Sequence, residues 1–256
     1  MEPLAPPLPT FLIIGAQKSA TRWLRLNLGL HPDVFSAPGE IEFFNNGDRF
    51  RAEGADWYRA QFSGWSGEPI VGEATPGYMF WRHGPAKVAA RVEETIPDVR
   101  LIATLRNPID RAQSAMVHHI EGGVLSGDSS LVDLVKQTPP DRDHLGIIAG
   151  GWYAASLEPF RERFGEQLLI LLHDDVDDDP RAVYDAALVH VGAVPDFVPP
   201  DFERVRFSHQ QHVSPEPGRR PLTRDERREL WDYFADDVAK LEKMIDRDLS
   251  LWDPNK

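Results

Sequence analysis

Short apolar runs alternate with helical periods along most of this 256-residue chain. The clearest runs cover residues 168–172, 100–105 and 11–14, and a segment with apolar residues every three to four positions follows each of them. Continuous apolar runs of this length are typical of strands buried on both faces of a parallel sheet. Strands that alternate with helices predict one α/β domain, in which a central parallel β-sheet is flanked by helices.

The same patterns predict the remaining elements. Two shorter strands are expected at residues 34–36 and 70–73. Helices are expected at about 23–30, 56–62, 85–96, 131–135, 152–164, 180–191 and 223–248. Ser19 or Thr21 is the expected N-cap of the first helix, and the spacing of Thr223 and Glu226 predicts a capping box at the last. Residues 195–220 are proline-rich without a period and are predicted to form a long ordered loop.

Charge and composition exclude several classes of function. The chain has 28 basic and 41 acidic residues, a net charge of −13, so it lacks the broad basic surface of a general nucleic-acid binder. It has no cysteine, which excludes disulfide scaffolds, thiolate metal sites and cysteine nucleophiles. Neither a signal peptide nor a transmembrane run is visible, which predicts a cytoplasmic protein. The proline-rich residues 1–10 are expected to be a flexible tail, and residues 11–256 a single domain.

A loop of small residues, 15–21, joins the first predicted strand to the first predicted helix. In such a loop, backbone N–H groups face a bound anion, and the helix N-terminus adds partial positive charge. Lys18 adds a full charge. Only two residues separate Gly15 from Lys18, so the loop does not meet the G-x-x-x-x-G-K-[ST] pattern that wraps a triphosphate. The loop therefore predicts an anion site of a different kind, with an ordinary strand–helix turn as the alternative.

A second anion site is predicted where residues 100–105 end. Arg106 follows this buried strand, at the edge where a parallel sheet presents its ligands. Ser114 lies about two turns into the next helix, on the same side as Arg111 and His118. Arg106 and Ser114 together suit a phosphate, unless the arginine is instead paired with a nearby carboxylate. Two sites on separate strand–helix turns predict a ligand with two separated anionic groups.

With these motifs in this order, the chain resembles the PAPS-dependent sulfotransferases, in the branch that contains the heparan-sulfate sulfotransferases and many bacterial relatives. PAPS is 3′-phosphoadenosine-5′-phosphosulfate. Residues 11–21 resemble the family's 5′-phosphosulfate loop, and residues 105–114 resemble its 3′-phosphate site. Residues 39–44 (GEIEFF) resemble the segment that carries the catalytic acid, and residues 72–78 (GEATPGY) resemble another family stretch. The C-terminal residues 246–252 are similar to bacterial members.

The resemblance implies a P-loop-like domain that transfers a sulfuryl group from PAPS to a hydroxyl or amine, without a metal, and releases adenosine 3′,5′-bisphosphate. Lys18 would neutralise charge on the leaving phosphate, and Glu40 would take the acceptor's proton. The resemblance also assigns cofactor contacts, to Gly15, Gln17, Lys18, Ser19, Ala20, Thr21, Arg22, Arg106, Ser114, Arg219 and Arg220. Acceptor contacts are assigned to Glu73, Tyr78, His118 and His119.

Several assignments have competitors within the chain. Glu42 lies two residues from Glu40, and the two side chains would point to opposite sides of an extended segment. His118 and His119 are an alternative base. Gly39 and Ala74 stand where the glycosaminoglycan enzymes often carry lysines, so the acceptor is expected to be a small molecule, a lipid or a carbohydrate without further definition.

Two other functions remain open at the level of sequence. One is a P-loop-like small-molecule kinase, which the loop spacing opposes. Residues 173–175 (HDD) after the strand at 168–172 resemble a strand end with a magnesium-binding acid, but the acidic run 177–179 favours a solvent-facing loop instead. The other is an inactive nucleotide-binding scaffold, which the retained Lys18, Glu40, Arg106 and Ser114 oppose.

Overall fold

Parallel strands form the centre of the fold in a computed structural model that describes residues 5–139, 142–200, 202 and 218–256, apart from the side chain of Trp81. Within these residues one sheet contains five strands in the order β2-β3-β1-β4-β5, and every neighbouring pair is parallel. The strands are β1 (Phe11–Gly15), β2 (Val34–Ser36), β3 (Ile70–Ala74), β4 (Arg100–Leu105) and β5 (Leu168–Leu172). The predicted α/β class with a central parallel sheet is confirmed.

Helices cover both faces of the sheet. They are α1 (Thr21–Leu28), α2 (Gly47–Ala60), α3 (Pro85–Thr95), α4 (Pro108–Glu121), α5 (Leu131–Gln137), α6 (Tyr153–Phe164), α7 (His173–Asp178), α8 (Pro180–Val191), α9 (Arg224–Trp231) and α10 (Ala235–Ile245). No helix among the described residues combines the length and the apolar character needed to cross a bilayer.

Successive strand residues point to opposite faces, which divides the core in two. Leu12 and Leu101 pack with α3, α4, α6 and α10 on one face. Phe11, Ile13 and Ile102 pack with α1 and α8 on the other. Strands that are buried on both faces read as continuous apolar runs, which is why the sequence pattern located them.

Two helix predictions were wrong. The helix expected at 56–62 already begins at Gly47, where the Asn46 side chain accepts the Arg49 N–H. Gly54 adopts a non-helical φ of 67° inside it, which interrupts the apolar period. The single helix expected over 223–248 is two helices, α9 and α10. The chain turns between them and buries Phe234 completely. The capping box at the start of α9 is confirmed.

The chain ends are tied to the sheet where they are described. The Thr10 N–H donates to the Val71 carbonyl at 2.6 Å, and Leu8 packs against the core. Near the other end, Trp252 accepts a hydrogen bond from the Asn107 side chain on its carbonyl and donates its indole N–H to Asp174. The division into a tail at 1–10 and a domain at 11–256 stays a prediction. Most of the loop expected at 195–220 lies outside the described residues.

All five strands run in the same direction, so their carboxyl ends lie along one edge of the sheet. The loops after β1, β3, β4 and β5 leave from this edge, and β1 has β3 and β4 as its direct neighbours. The loop that carries Lys18 and the turn that carries Arg106 therefore lie side by side.

Candidate active site

The loop after β1 is shaped to expose backbone amides. Lys18 and Ala20 adopt left-handed conformations, with φ of 69° and 68°. Helix α1 then starts at Thr21 with Ala20 in the N-cap position, so neither Ser19 nor Thr21 caps it as predicted, and no described side chain does so. An alanine N-cap leaves the first helical N–H groups without a side-chain acceptor. These groups and the positive end of the helix dipole suit an anion.

Positive charge converges on this loop. Lys18 is half-buried, and burial lowers its pKa. The nearby Glu121 raises the pKa of Lys18, whereas Arg106 and Arg111 lower it further. Three cations within electrostatic reach of one another are unfavourable unless an anion joins them, so the cluster favours a bound phosphate or sulfate.

Arg106 connects the two predicted anion sites. Its side chain is buried at the end of β4, and its guanidinium Nη1 donates to the Lys18 carbonyl at 3.4 Å. The Tyr153 hydroxyl donates to the Arg106 carbonyl at 2.8 Å, which fixes the backbone of this turn. Burial lowers the pKa of Arg106, and Asp110 opposes this. Asp110 itself forms its ion pair with Arg227 at 2.6 Å. The Arg106 guanidinium is directed to the loop after β1 by its bond to the Lys18 carbonyl.

The segment with the two late arginines packs against α4, the helix that carries Ser114. The Gln113 side chain donates to the Arg220 carbonyl at 2.6 Å, beside half-buried Ser114. The Arg220 guanidinium makes two hydrogen bonds to Glu226, at 2.5 and 2.8 Å, and this pairing lowers the pKa of Glu226 to about 2. The Arg220 side chain is therefore held at the start of α9. Arg219 is half-buried in the same segment.

A cleft of about 290 Å³ opens between the loop after β1 and the segments that follow β2 and β3. Glu40 and Glu42 both line it, contrary to the expectation for an extended segment. The reason is the backbone of Glu42, whose φ of 53° reverses the direction of its side chain. The other residues that line the cleft include Gln17, Met79, Phe80, Arg82, His83, Arg111, His119, His144 and Leu145.

Glu40 lies on the border between this cleft and a second recess of about 260 Å³. The second recess is lined by Thr21, Arg22, Arg25, Gly39, Glu40, Ala74 and Pro76. Partial desolvation raises the pKa of Glu40; Glu42 raises it further, and Arg25 opposes both. A carboxylate with a raised pKa is a stronger base, so Glu40 combines an accessible position with suitable chemistry.

Glu73 and Tyr78 do not line the cleft. Both side chains are fully buried. The Tyr78 hydroxyl donates to Glu73 Oε1 at 2.6 Å, and Thr75 donates to Oε2 at 2.7 Å. Burial raises the pKa of Glu73 to about 7, although its hydrogen bonds oppose the shift. The position of these two residues therefore suits support of the site rather than contact with an acceptor.

The two neighbouring histidines differ in their position relative to the cleft. His119 lines the cleft, with its Nε2 at 3.1 Å from the Leu145 carbonyl. His118 is exposed outside that lining. Partial desolvation lowers the pKa of His118, and the nearby Lys18 lowers it further.

Sequence reasoning noted Arg111 only as a neighbour of Ser114 on the helix and assigned it no role. The structure places this fully buried side chain at the cleft, where Nη2 donates to the carbonyls of Gly146 and Ile147. The Asp143 carboxylate accepts the N–H groups of the same segment, residues 147–149. The available signal was the three-residue spacing from Arg111 to Ser114, which places both on one face of α4.

The acidic residues after β5 have structural partners. They form α7, where Asp175 pairs with Arg247 at 2.9 Å and Asp174 accepts the Trp252 indole N–H at 3.0 Å. Among the described residues, no group of three or more histidines or carboxylates is arranged to hold a metal ion.

The titration of Glu73 gives a prediction about stability. Its folded pKa of about 7 exceeds the usual 4.5, so Glu73 stabilises the fold below pH 4.5, and this contribution is lost as the pH rises through 7. The loss corresponds to about 3 kcal/mol. Urea denaturation of wild type and E73Q between pH 4.5 and 8 should therefore show the wild-type free energy of unfolding falling relative to the variant. Parallel curves would contradict the assignment, because all other groups cancel in the difference.

Known proteins resemble this chain in sequence and in structure. A family model described as the sulfotransferase domain matches residues 8–186. The chain is 27% identical over 272 residues to human bifunctional heparan sulfate N-deacetylase/N-sulfotransferase 3, a match that covers 93% of this chain and 30% of the relative. It is 32% identical over 181 residues to mouse heparan sulfate glucosamine 3-O-sulfotransferase 3B1, covering 68% of this chain and 43% of that one. The chain thus matches less than half the length of these curated relatives.

A solved structure covers nearly the whole chain. The crystal structure of a sulfotransferase from Alicyclobacillus acidocaldarius superposes with a TM-score of 0.78 at 30% sequence identity. The match covers 95% of this chain and 98% of that one.

Proposed function

Because the chain belongs to the sulfotransferase domain family, we propose that it transfers a sulfuryl group from PAPS to a hydroxyl or amine and releases adenosine 3′,5′-bisphosphate. The observation that carries this proposal is the hydrogen bond from Arg106 to the Lys18 carbonyl, which joins two cationic sites at neighbouring strand ends. A nucleotide with phosphate groups at both its 3′ and 5′ positions matches two such sites.

In the proposed reaction the bond from sulfur to the bridging phosphate oxygen breaks, and a bond from sulfur to the acceptor oxygen or nitrogen forms. The phosphate oxygen keeps the electron pair, and the acceptor's proton passes to Glu40. Lys18 and the N-terminal amides of α1 stabilise the charge that grows on the leaving phosphate. Like phosphoryl transfer, such a reaction depends mainly on alignment and on charge stabilisation.

The donor contacts follow from the same geometry. We assign the 5′ end of the nucleotide to the loop residues Gly15, Gln17, Lys18, Ser19, Ala20, Thr21 and Arg22. The 3′-phosphate is assigned to Arg106 and Ser114, with Arg219 and Arg220 in the segment that packs beside Ser114. The hydrogen bond from Gln113 to the Arg220 carbonyl supports this placement, since it holds that segment against α4, the helix that carries Ser114.

The acceptor is assigned to the cleft beside Glu40 and His119. A volume of about 290 Å³ is at the lower end of small-molecule sites, which suits a compact acceptor or the terminal unit of a longer one. The relatives' names specify heparan sulfate. In this chain Gly39 and Ala74 contribute no lysine to the second recess, where Arg22 and Arg25 are the basic residues of the lining. A screen of [³⁵S]PAPS with amine, alcohol and saccharide pools would identify the class of acceptor. The cytoplasmic location expected from the sequence stays a prediction.

Nucleotide binding tests the proposal without an acceptor. Adenosine 3′,5′-bisphosphate at a hundredfold excess over its Kd should stabilise the folded protein by about 2.7 kcal/mol. For a domain of this size, the melting temperature should rise by about 5–10 °C. AMP and magnesium-ATP lack the 3′-phosphate and should shift it far less at equal concentration. A larger shift with magnesium-ATP would favour the kinase, and negligible shifts with all three would favour a scaffold.

Two variants locate the 3′-phosphate in the same thermal-shift assay. R106A should reduce the bisphosphate shift more than S114A, because it removes a buried charge as well as donors. R100A is the matched control, since Arg100 is an exposed arginine at the opposite end of the same strand. If R106A and R100A give the same shift as wild type, Arg106 does not bind the nucleotide.

A further inference from the structure

A buried carboxylate lies at the centre of a hydrogen-bond network behind the cleft. Glu73 is fully buried at the end of β3. Its Oε2 accepts from the Thr75 hydroxyl at 2.7 Å. Its Oε1 accepts from the Tyr78 hydroxyl at 2.6 Å and from the Tyr58 hydroxyl at 3.1 Å. All three hydroxyls donate to Glu73, so their protons point toward this carboxylate.

Two of these hydroxyls also hold the loop that follows Glu40. Thr75 Oγ1 accepts the N–H groups of Ile41 and Glu42, at 3.1 and 3.3 Å. The Tyr78 oxygen accepts the N–H of Phe43 at 3.3 Å. Three consecutive backbone amides are therefore fixed through two hydroxyls to one carboxylate.

On the other side of Glu40 the chain is held at Ala37, whose N–H donates to the Gly72 carbonyl at 2.8 Å and whose carbonyl accepts from the Arg25 guanidinium at 3.3 Å. Gly39 precedes Glu40 in a left-handed conformation, with φ of 79°, and has open space where a side chain would lie. The Arg49 guanidinium also holds the loop, through the Ile41 carbonyl at 2.9 Å. The amides of residues 41–43 thus fix the backbone that directly follows Glu40, whereas Ala37 lies three residues before it.

We infer that Glu73, Thr75 and Tyr78 are positioning residues for the proposed sulfuryl transfer, which place Glu40 at the cleft by holding the backbone of residues 41–43. This inference rests on the proposed function. Glu73 sets the direction of the two hydroxyl protons, and the hydroxyl oxygens then present their lone pairs to the loop.

The Thr75 hydroxyl uses all of its hydrogen-bond donor and acceptor sites. Its hydroxyl has one proton, which Glu73 accepts, and two lone pairs, which the amides of Ile41 and Glu42 occupy. Valine has the same shape without any of these interactions, whereas serine retains all of them. T75V and T75S therefore separate the hydrogen bonds from the packing.

The test uses water as the acceptor, because no other acceptor has been identified. Enzyme in excess over [³⁵S]PAPS is followed through a single turnover to [³⁵S]sulfate, and the Kd for adenosine 3′,5′-bisphosphate is measured separately. T75V should lower the rate constant about tenfold and leave the Kd within about twofold. T75S should restore the rate. Hydrogen exchange at the amides of residues 41–42 should be faster in T75V alone.

Controls distinguish this role from a general loss of structure. T95V removes a threonine hydroxyl that bonds within α3, at the Arg91 carbonyl, and should behave as wild type. Y78F repeats the test at the second hydroxyl and should also slow turnover if T75V does not fold. A wild-type rate in T75V, or a T75S rate as low as that of T75V, would overturn the inference. If wild type itself neither binds the bisphosphate nor releases sulfate, the proposed function fails instead.

Discussion

Replacing Lys18 by alanine is expected to lower turnover by about 10²–10³-fold, because one preorganised charge at a developing anion contributes about 2.7–4 kcal/mol in comparable sites. Lys18 suits this role because it is half-buried, and because burial lowers its pKa, which Glu121 opposes and Arg106 and Arg111 reinforce. Transfer from [³⁵S]PAPS measures the effect, with the acceptor from the screen or with water.

The choice of alanine keeps the backbone comparable. Lys18 has a φ of 69°, and alanine retains the Cβ, so the conformational cost of this position is similar in both proteins. K87A is the matched control, because Lys87 is an exposed lysine on α3. A K18A rate above about half the wild-type value would remove Lys18 from the chemistry.

Replacing Glu40 by glutamine should abolish most turnover and leave the bisphosphate thermal shift nearly unchanged. General base catalysis contributes about 10²–10⁴-fold, and glutamine has nearly the same size without the capacity to take a proton. Glu40 lines a recess beside Thr21 and Arg22 but is not assigned to the nucleotide, and glutamine adds no bulk there, so the donor should still bind. This split between turnover and nucleotide binding separates Glu40 from Lys18 and Arg106.

The matched control for E40Q is E42Q. Glu42 lines the same cleft two residues away and also raises the pKa of Glu40. Because E42Q keeps Glu40, the proposed base, this variant should keep most of the activity. An inactive E42Q with an active E40Q would assign the base to Glu42, and H119A tests the remaining candidate in the same assay.

The sequence was sufficient to predict the sheet and the loops that lie side by side at its carboxyl edge; the two anion sites there stay predictions. The strands are buried on both faces, so their apolar runs are uninterrupted, and parallel direction then determines which loops share an edge. The positions of Lys18 and Arg106 follow from those two facts alone. The exchange of Thr21 for Ala20 as the N-cap was not predictable, because it depends on the left-handed backbone of the loop.

The sequence did not predict the features that depend on side-chain direction. Alternation predicted that Glu40 and Glu42 diverge, yet the positive φ of Glu42 brings both to one cleft. Glu73 and Tyr78 have the residue types of acceptor contacts, but both are fully buried, and Tyr78 bonds Glu73 and the Phe43 N–H instead. Arg111 was recognised as a neighbour and not as part of the cleft, because its carbonyl partners lie 35 and 36 residues further along the chain.

The two sides of the cleft come from different stretches of polypeptide. The loop after β1 and the turn at Arg106, to which we assign most of the donor, are fixed by the central strands, whereas Phe80, His144 and Leu145 belong to connecting segments. Loops tolerate substitution better than the strands that carry them. Acceptor preference can therefore diverge between homologous enzymes without any change in nucleotide affinity. Chimeras that exchange only residues 79–83 and 142–146 are a direct route to enzymes with new acceptors.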